Sequence, residues 1–333
     1  MIKCKGVRQT LKKDMVFETK IKIPTSEIKA PHNFDFQFTH YVFYPEIREE
    51  NKWCRILKLE SGKVAKGEVE STGTIEKPSA ILTIKANETL SASEAREAKD
   101  FIVWILGFDE DRKPFYEIIK SDPVMQASLS LNYGWKDKSY PTVFESIVGV
   151  VVAQNVQFKR IYKMLELLCR KFGEKLRLEG KNYYCFPEPE AIANASLKDL
   201  RACKVGYRDK FLKAIAEKIV KERINLEKIK EMSNEEALKF LTQLPYVGPY
   251  TAKLGLVLAT RRRDIFHLDL FVREAMWTFY FDGKHVDDKT ILEFAKNRWH
   301  PYESLAVGLL TTNTEEWSER LGKKFRLKSG AKA

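Results

Sequence analysis

The sequence predicts an α+β protein: a small antiparallel, β-rich N-terminal domain followed by an all-helical core. Three observations carry this. Short strand-like runs, some strictly alternating, occupy the first 90 positions. Capping boxes and apolar residues at helical spacing follow them. The 333 residues, 44% of them hydrophobic, can build sizeable cores in two or three domains. The expected boundaries are 1–90 for the β-rich domain, 91–320 for the helical core and 321–333 for a basic tail.

Strands are expected over Val16–Ile23, Phe34–Tyr44, Trp53–Leu59 and Ser79–Ile84. In the second, Phe34-Asp35-Phe36-Gln37-Phe38 has the period of two of a half-buried strand. Ser91 to Glu94 is a capping box that opens a helix through about Ile105. Ser233 to Glu236 is a second one, and Ala237, Phe240, Leu241 and Leu244 give its helix one apolar face. Pro245 ends that helix, because proline disfavours helix at the residue before it. Gly248 permits a tight turn, and Pro249 suits the first turn of a helix running to about Thr260. Leu270–Tyr280 reads as a further helix with Asp269 as its N-cap. No internal repeat is visible, and only the tail is of low complexity.

Composition narrows the function. There are 58 Lys+Arg against 46 Asp+Glu, a net charge of +12, and a pI near 9.2. A basic surface attracts phosphates and makes binding salt-dependent. The densest basic runs are Arg261-Arg262-Arg263 and Lys323–Lys332. The start, Met1–Lys5, has no apolar run, so no secretory signal is expected. Ile147–Ala153 is too short to span a bilayer, so no membrane partner is expected. Five scattered cysteines suit a reducing compartment, and none forms a metal-spaced pair. The expected location is cytoplasmic or nucleoid-associated, or nuclear in a eukaryote.

Residues 244 to 269 concentrate the chemistry. A helix, a Pro-and-Gly hairpin and a second helix leave the second helix's first-turn amides free to donate to a phosphate oxygen. Asp269 follows just beyond. Cleaving a base from its sugar develops positive charge on the sugar, as in glycoside hydrolysis. One fixed carboxylate can stabilise that charge and orient or deprotonate a water.

Five motifs in order resemble the helix-hairpin-helix DNA glycosylase superfamily, closest to its alkylpurine (3-methyladenine) branch, with the 8-oxoguanine glycosylases next. They are Pro141–Glu145 leading to Val152-Ala153-Gln154-Asn155; Phe186-Pro187-Glu188-Pro189-Glu190; Val205-Gly206-Tyr207-Arg208; the hairpin itself; and Trp299–Ala306. The match covers about residues 105 to 315. It implies two helical subdomains flanking an active-site cleft, and a β-rich N-terminal domain as in the alkylpurine branch. It implies Asp269 as the catalytic carboxylate and a damaged purine in double-stranded DNA as substrate. An alkylated purine is the first expectation, with 8-oxoguanine or hypoxanthine as alternatives. A non-catalytic DNA-structure-binding protein built on the same hairpin is a further alternative.

The base pocket would hold Tyr250, Tyr207, Trp135 and Trp277, with Tyr133 a weaker candidate. Gln154 and Asn155 would probe the gap left by the base. Tyr246, Gly248, Tyr250 and Thr251 would bind phosphate at the hairpin. The carbonyls of Thr242, Leu244 and Val247 would hold a sodium or potassium ion. Otherwise no cofactor is required. No cysteine follows Cys203, so no iron–sulfur cluster is expected. The chemistry needs only a monomer. Four positions depart from the family pattern. Tyr246 replaces the hairpin's usual first glycine, and Asn155 stands where some relatives carry a leucine wedge. Thr311 replaces a pocket tryptophan. Tyr250 stands where base-excising lyases carry their Schiff-base lysine, 269 − 250 = 19 residues before Asp269. The resemblance therefore implies a monofunctional glycosylase, with Lys253, one turn on, as the alternative lyase nucleophile.

Overall fold

A computed structural model describes residues 16–323 and residue 325. The N-terminal strands are β1 (Phe17–Ile23), β2 (Glu46–Glu49), β3 (Lys52–Lys58), β4 (Val64–Ser71) and β5 (Ala80–Ala86). They form one antiparallel sheet in the order β1-β5-β4-β3-β2. One face packs on α2 (Ala92–Leu106) around Trp53, Val69, Leu82 and Ile102. Helix α2 begins at the expected capping box: Ser91 accepts the Glu94 amide and Glu94 accepts the Ser91 amide, a device worth about 1 kcal/mol.

The run expected as a second strand is instead helix α1 (Phe34–Thr39). Asn33 caps it by accepting the Phe36 amide at 3.0 Å. Phe34, Gln37 and Phe38 are its buried residues, the i, i+3, i+4 set of a helix. Gln37 is satisfied inside by His32 and by the carbonyls of Leu106 and Lys136. The alternation was real, but a buried glutamine and a capping asparagine fit only the helical period.

The helices after α2 form two bodies. The first gathers α5 (Val143–Ala153), α6 (Phe158–Phe172), α7 (Pro189–Ala193), α8 (Leu197–Ala202), α9 (Arg208–Glu222), α10 (Asn234–Leu241) and α11 (Pro249–Thr260). The second gathers α3 (Lys113–Ile118), α4 (Pro123–Asn132), α12 (Leu270–Tyr280), α13 (Asp288–Trp299), α14 (Glu303–Thr311) and α15 (Thr314–Arg320). Helix α5 is apolar almost all round, and Val143 through Val152 are all buried. It fixes α11 at close range. A Cβ on Gly255 would sit 2.5 Å from Ile147 Cδ1, and Ser146 Oγ donates to the Gly255 carbonyl at 2.8 Å.

Two short strands, β6 (Lys175–Leu178) and β7 (Lys181–Tyr184), interrupt the helices and pair with each other. Leu176, Leu178 and Tyr183 pack with Ile56 on the face of the sheet away from α2. Arg55 of β3 reaches across to Glu145 of α5 and also pairs with Glu46 at 3.5 Å. These buried charges tie the sheet to the helical core.

Candidate active site

The hairpin joins α10 to α11. Helix α10 ends at Leu241, earlier than the apolar pattern predicts, because Thr242 caps it and Leu244 turns inward as a buried hairpin residue. The left-handed turn residue is Tyr246, at φ +62. Gly248 is extended, at φ −81, and serves as the N-cap of α11. This corrects the turn role expected of Gly248. A Cβ at Gly248 would meet nothing within 4 Å, so the glycine leaves open space over the free amides of α11.

Asp269 is the N-cap of α12. Its Oδ1 accepts the Val272 amide at 2.7 Å, and its Oδ2 faces the Tyr250 hydroxyl at 3.4 Å. The cap fixes where the carboxylate points, and the N-terminus of α12 favours its negative charge. Burial and the adjacent Asp269 both raise the Tyr250 phenol above its ordinary value, so it keeps its proton and can donate. His267, two residues before Asp269, stands edge-on to Tyr250, with ring centroids 6.4 Å apart. Burial lowers its imidazole to about 4, against the opposing pull of Asp269. It is therefore neutral at physiological pH.

Asp269 and His267 line a cavity of about 340 Å³ between the two helical bodies. Residues of α5, α11, α12 and α14 wall it, and the segment 135–140 contributes Trp135. The arrangement puts one oriented carboxylate beside a hollow; Tyr250, expected in the base pocket, is not among the residues lining it and reaches the site through its hydroxyl on Asp269.

The other aromatic candidates divide between the cavity and places outside it. Trp135 and Thr311 line the cavity. Tyr207 does not: it is 53% exposed at the start of α9, with the Arg208 guanidinium 4.5 Å over its ring. Trp277 does not either: it donates to the Val286 carbonyl and stacks on His285 at 4.1 Å. Tyr133 lies beside Tyr116, outside the cavity lining. All three expectations rested on aromatic residue type, which does not distinguish pocket from packing.

Thr251 is buried, and its hydroxyl receives the Gln154 amide at 3.1 Å, so its side chain is not open to phosphate. Gln154 is thereby tied to α11, and its carbonyl accepts from Arg208. Asn155 is exposed and left-handed, at φ +53. Of the two probing candidates it alone projects freely from the turn. Sequence reading overlooked His267, although it lies in the same motif as Asp269. Its burial was the missing signal.

The basic run is also placed differently. Arg261 pairs with Asp109 at 2.8 Å, and its guanidinium lies 4.0 Å over Trp104. Arg262 donates to Asn234, Ile229 and Met232. Arg263 pairs with Glu110 and Asp137. All three hold the loop between α11 and Asp269 in place. Of the other run, only Lys323 and Phe325 are described; the remainder lies outside the described residues.

Residues 148–301, which contain the hairpin and Asp269, match the family model described as HhH-GPD superfamily base excision DNA repair protein. This stretch of the chain is thus similar to the HhH-GPD superfamily. A DNA-3-methyladenine glycosylase of Bacillus subtilis is 28% identical over 162 residues, 48% of this chain and 54% of that protein. The chain thus matches about half the length of that relative. A probable N-glycosylase/DNA lyase of Methanothermobacter thermautotrophicus is 23% identical, over 60% of this chain and 70% of that protein. The 3-methyladenine DNA glycosylase from Archaeoglobus fulgidus shares the fold, with a TM-score of 0.74 at 23% identity, covering 91% of this chain and 99% of that one.

Proposed function

We infer that this protein is a monofunctional DNA glycosylase of the HhH-GPD superfamily. It hydrolyses the N-glycosidic bond of a damaged purine flipped out of double-stranded DNA. The observation that carries this is Asp269, oriented by the Val272 amide at the wall of a cavity and reached by the loop after the hairpin's second helix. The hairpin amides of α11 hold the strand, with Gly248 letting the backbone approach. The base enters the cavity, and Asn155 fills the gap. Asp269 stabilises the positive charge that develops on the sugar and orients the attacking water. The Tyr250 hydroxyl, by donating to Asp269, holds the second carboxylate oxygen in place. One chain supplies the hairpin and the cavity, so a monomer suffices.

Water is the nucleophile in this reading. Tyr250 replaces the lyase lysine, and Lys253 does not line the cavity. The two lysines that do are engaged. Burial and Arg112 lower Lys136 to about 7, but its ammonium donates to the Lys29 and Gly107 carbonyls at 2.7 and 3.1 Å. Lys138 pairs with Glu46 at 2.7 Å.

An alkylated purine is the first reading of the base. One observation favours 8-oxoguanine or hypoxanthine instead. The Arg112 guanidinium already lies over the Trp135 ring at 5.4 Å, which makes that ring a poor partner for a second cation.

In the hairpin, the Leu244 carbonyl accepts the Val247 amide at 3.3 Å. Neutral oxygens on a tight turn are a donor set that suits a hard cation. The Thr242, Leu244 and Val247 carbonyls would hold a sodium or potassium ion there, bracing the turn.

The test is base release from duplexes carrying methylated adenine, 8-oxoguanine, hypoxanthine or uracil, with wild type beside Asp269→Asn. Release of one purine by wild type alone is expected. No release with equal binding by both proteins would leave a DNA-structure-binding protein. A borohydride-trapped adduct lost in Lys253→Ala would establish the lyase alternative.

A further inference from the structure

The three most exposed large apolar residues among those described are Leu270 at 64%, Tyr246 at 54% and Tyr207 at 53%. Leu270 directly follows Asp269. The other two belong to one aromatic ladder. Tyr246 stacks face to face on Phe211, with centroids 4.1 Å apart and planes at 18°. Phe211 meets Tyr207 edge-on at 5.4 Å and 68°. Arg208 lies over Tyr207 and bonds the Gln154 carbonyl. The ladder therefore runs from the turn carrying Asn155 to the apex of the hairpin.

Tyr246 is the unusual member. Its backbone is left-handed, a conformation glycine enters freely and a residue with a Cβ does not. An exposed tyrosine held in a glycine's conformation points to a use for its ring, since the turn itself would be served better without one. Phe211 covers one face of that ring, and the other is open. Beside it lie the free amides of α11, which suit a phosphate. A flat neutral ring next to phosphate donors fits a nucleotide of a single strand, with the base on the ring and the phosphate on the amides.

We propose that Tyr246, braced by Phe211, is a stacking platform for a nucleobase left unstacked beside the emptied position in the duplex. This rests on the glycosylase reading, which supplies the emptied position. Base–aromatic stacking tolerates every base, so the platform adds affinity for distorted DNA without sequence preference.

The test measures binding by Asp269→Asn, in which no base is released, to a duplex with 2-aminopurine next to an abasic-site analogue. Tyr246→Gly added to it is expected to weaken binding by about tenfold and to abolish the quenching of 2-aminopurine. Tyr246→Phe keeps both. The thermal midpoint of Tyr246→Gly stays level or rises, because the strained residue is gone. Tyr246→Asn, which tolerates the left-handed backbone without a ring, behaves as the glycine variant. Unchanged affinity and quenching in both ringless variants overturns the proposal. A concentration-dependent dimer that only the ringless variants dissociate overturns it too, assigning the ring to a second copy of the chain. Base release by wild type tests the glycosylase reading separately, so either can fail alone.

Discussion

At the scale of the residue, capping and the charge-stabilising role proposed for Asp269 ask for the same geometry. A cap needs a short acceptor aimed at the N3 amide. Charge stabilisation needs a carboxylate whose direction does not wander. The 2.7 Å bond from Val272 serves both, and asparagine preserves the cap while removing the charge. Gly248 separates the two kinds of requirement. Its φ and its surroundings would accept a methyl group, so folding alone does not demand glycine there. Gly248→Ala is expected to change stability by less than about 1 kcal/mol, the scale of an N-cap exchange. Its affinity for DNA should fall several-fold, because the added Cβ occupies the space over the α11 amides. Parallel denaturant titrations and binding isotherms check this; equal affinity would mean that no backbone comes close at that point.

At the scale of the element, the loop from Thr260 to Asp269 is positioned by cations that face inward. Arg262 ties it to Ile229, Met232 and Asn234 at the start of α10. Arg261 and Arg263 tie it to the acidic residues at 109, 110 and 137. Removing a partly buried guanidinium strands the carbonyls it served, at a cost of about 1–3 kcal/mol. Arg262→Ala is therefore expected to lower stability by that amount. The slope of log affinity against log salt should stay the same, since this arginine releases no counterion from DNA. A flatter slope in the variant would restore the run to the DNA surface. The hairpin itself is set by α5, whose apolar surface admits α11 closely only because Gly255 has no side chain.

At the scale of the whole molecule, buried neutral imidazoles couple stability to pH. Burial lowers His32 to about 3 and His267 to about 4, against 6.5 for the free group. Between those values the unfolded chain holds protons that the folded chain refuses. The imidazoles' contribution to stability is thus full above pH 6.5 and is lost as pH falls toward about 4. Carboxylates held low by lysines, such as Glu68, stabilise fully above their ordinary value of 4.5 and lose that contribution only below it. Melting curves between about pH 6.5 and 4.5 should show a falling midpoint, with a shallower fall in His32→Gln. A flat profile would mean that the imidazoles accept protons inside the fold.

The sequence by itself determined the local rules. Ser91, Ser233 and Asp269 cap the helices they were expected to cap, because a cap is decided within four residues. The α+β order and the hairpin followed from the same short-range chemistry, and the ordered motifs gave the likeness to the HhH-GPD superfamily. Tertiary structure decided whatever depends on neighbours far along the chain. It turned Phe34–Thr39 into a helix by burying Gln37 against residues 106 and 136. It placed the positive φ at Tyr246 and braced it with Phe211. It directed the three arginines inward and left Trp277 and Tyr207 outside the cavity. Residue type states what a side chain can do; only packing sets which way it faces, because burial and partners come from other elements.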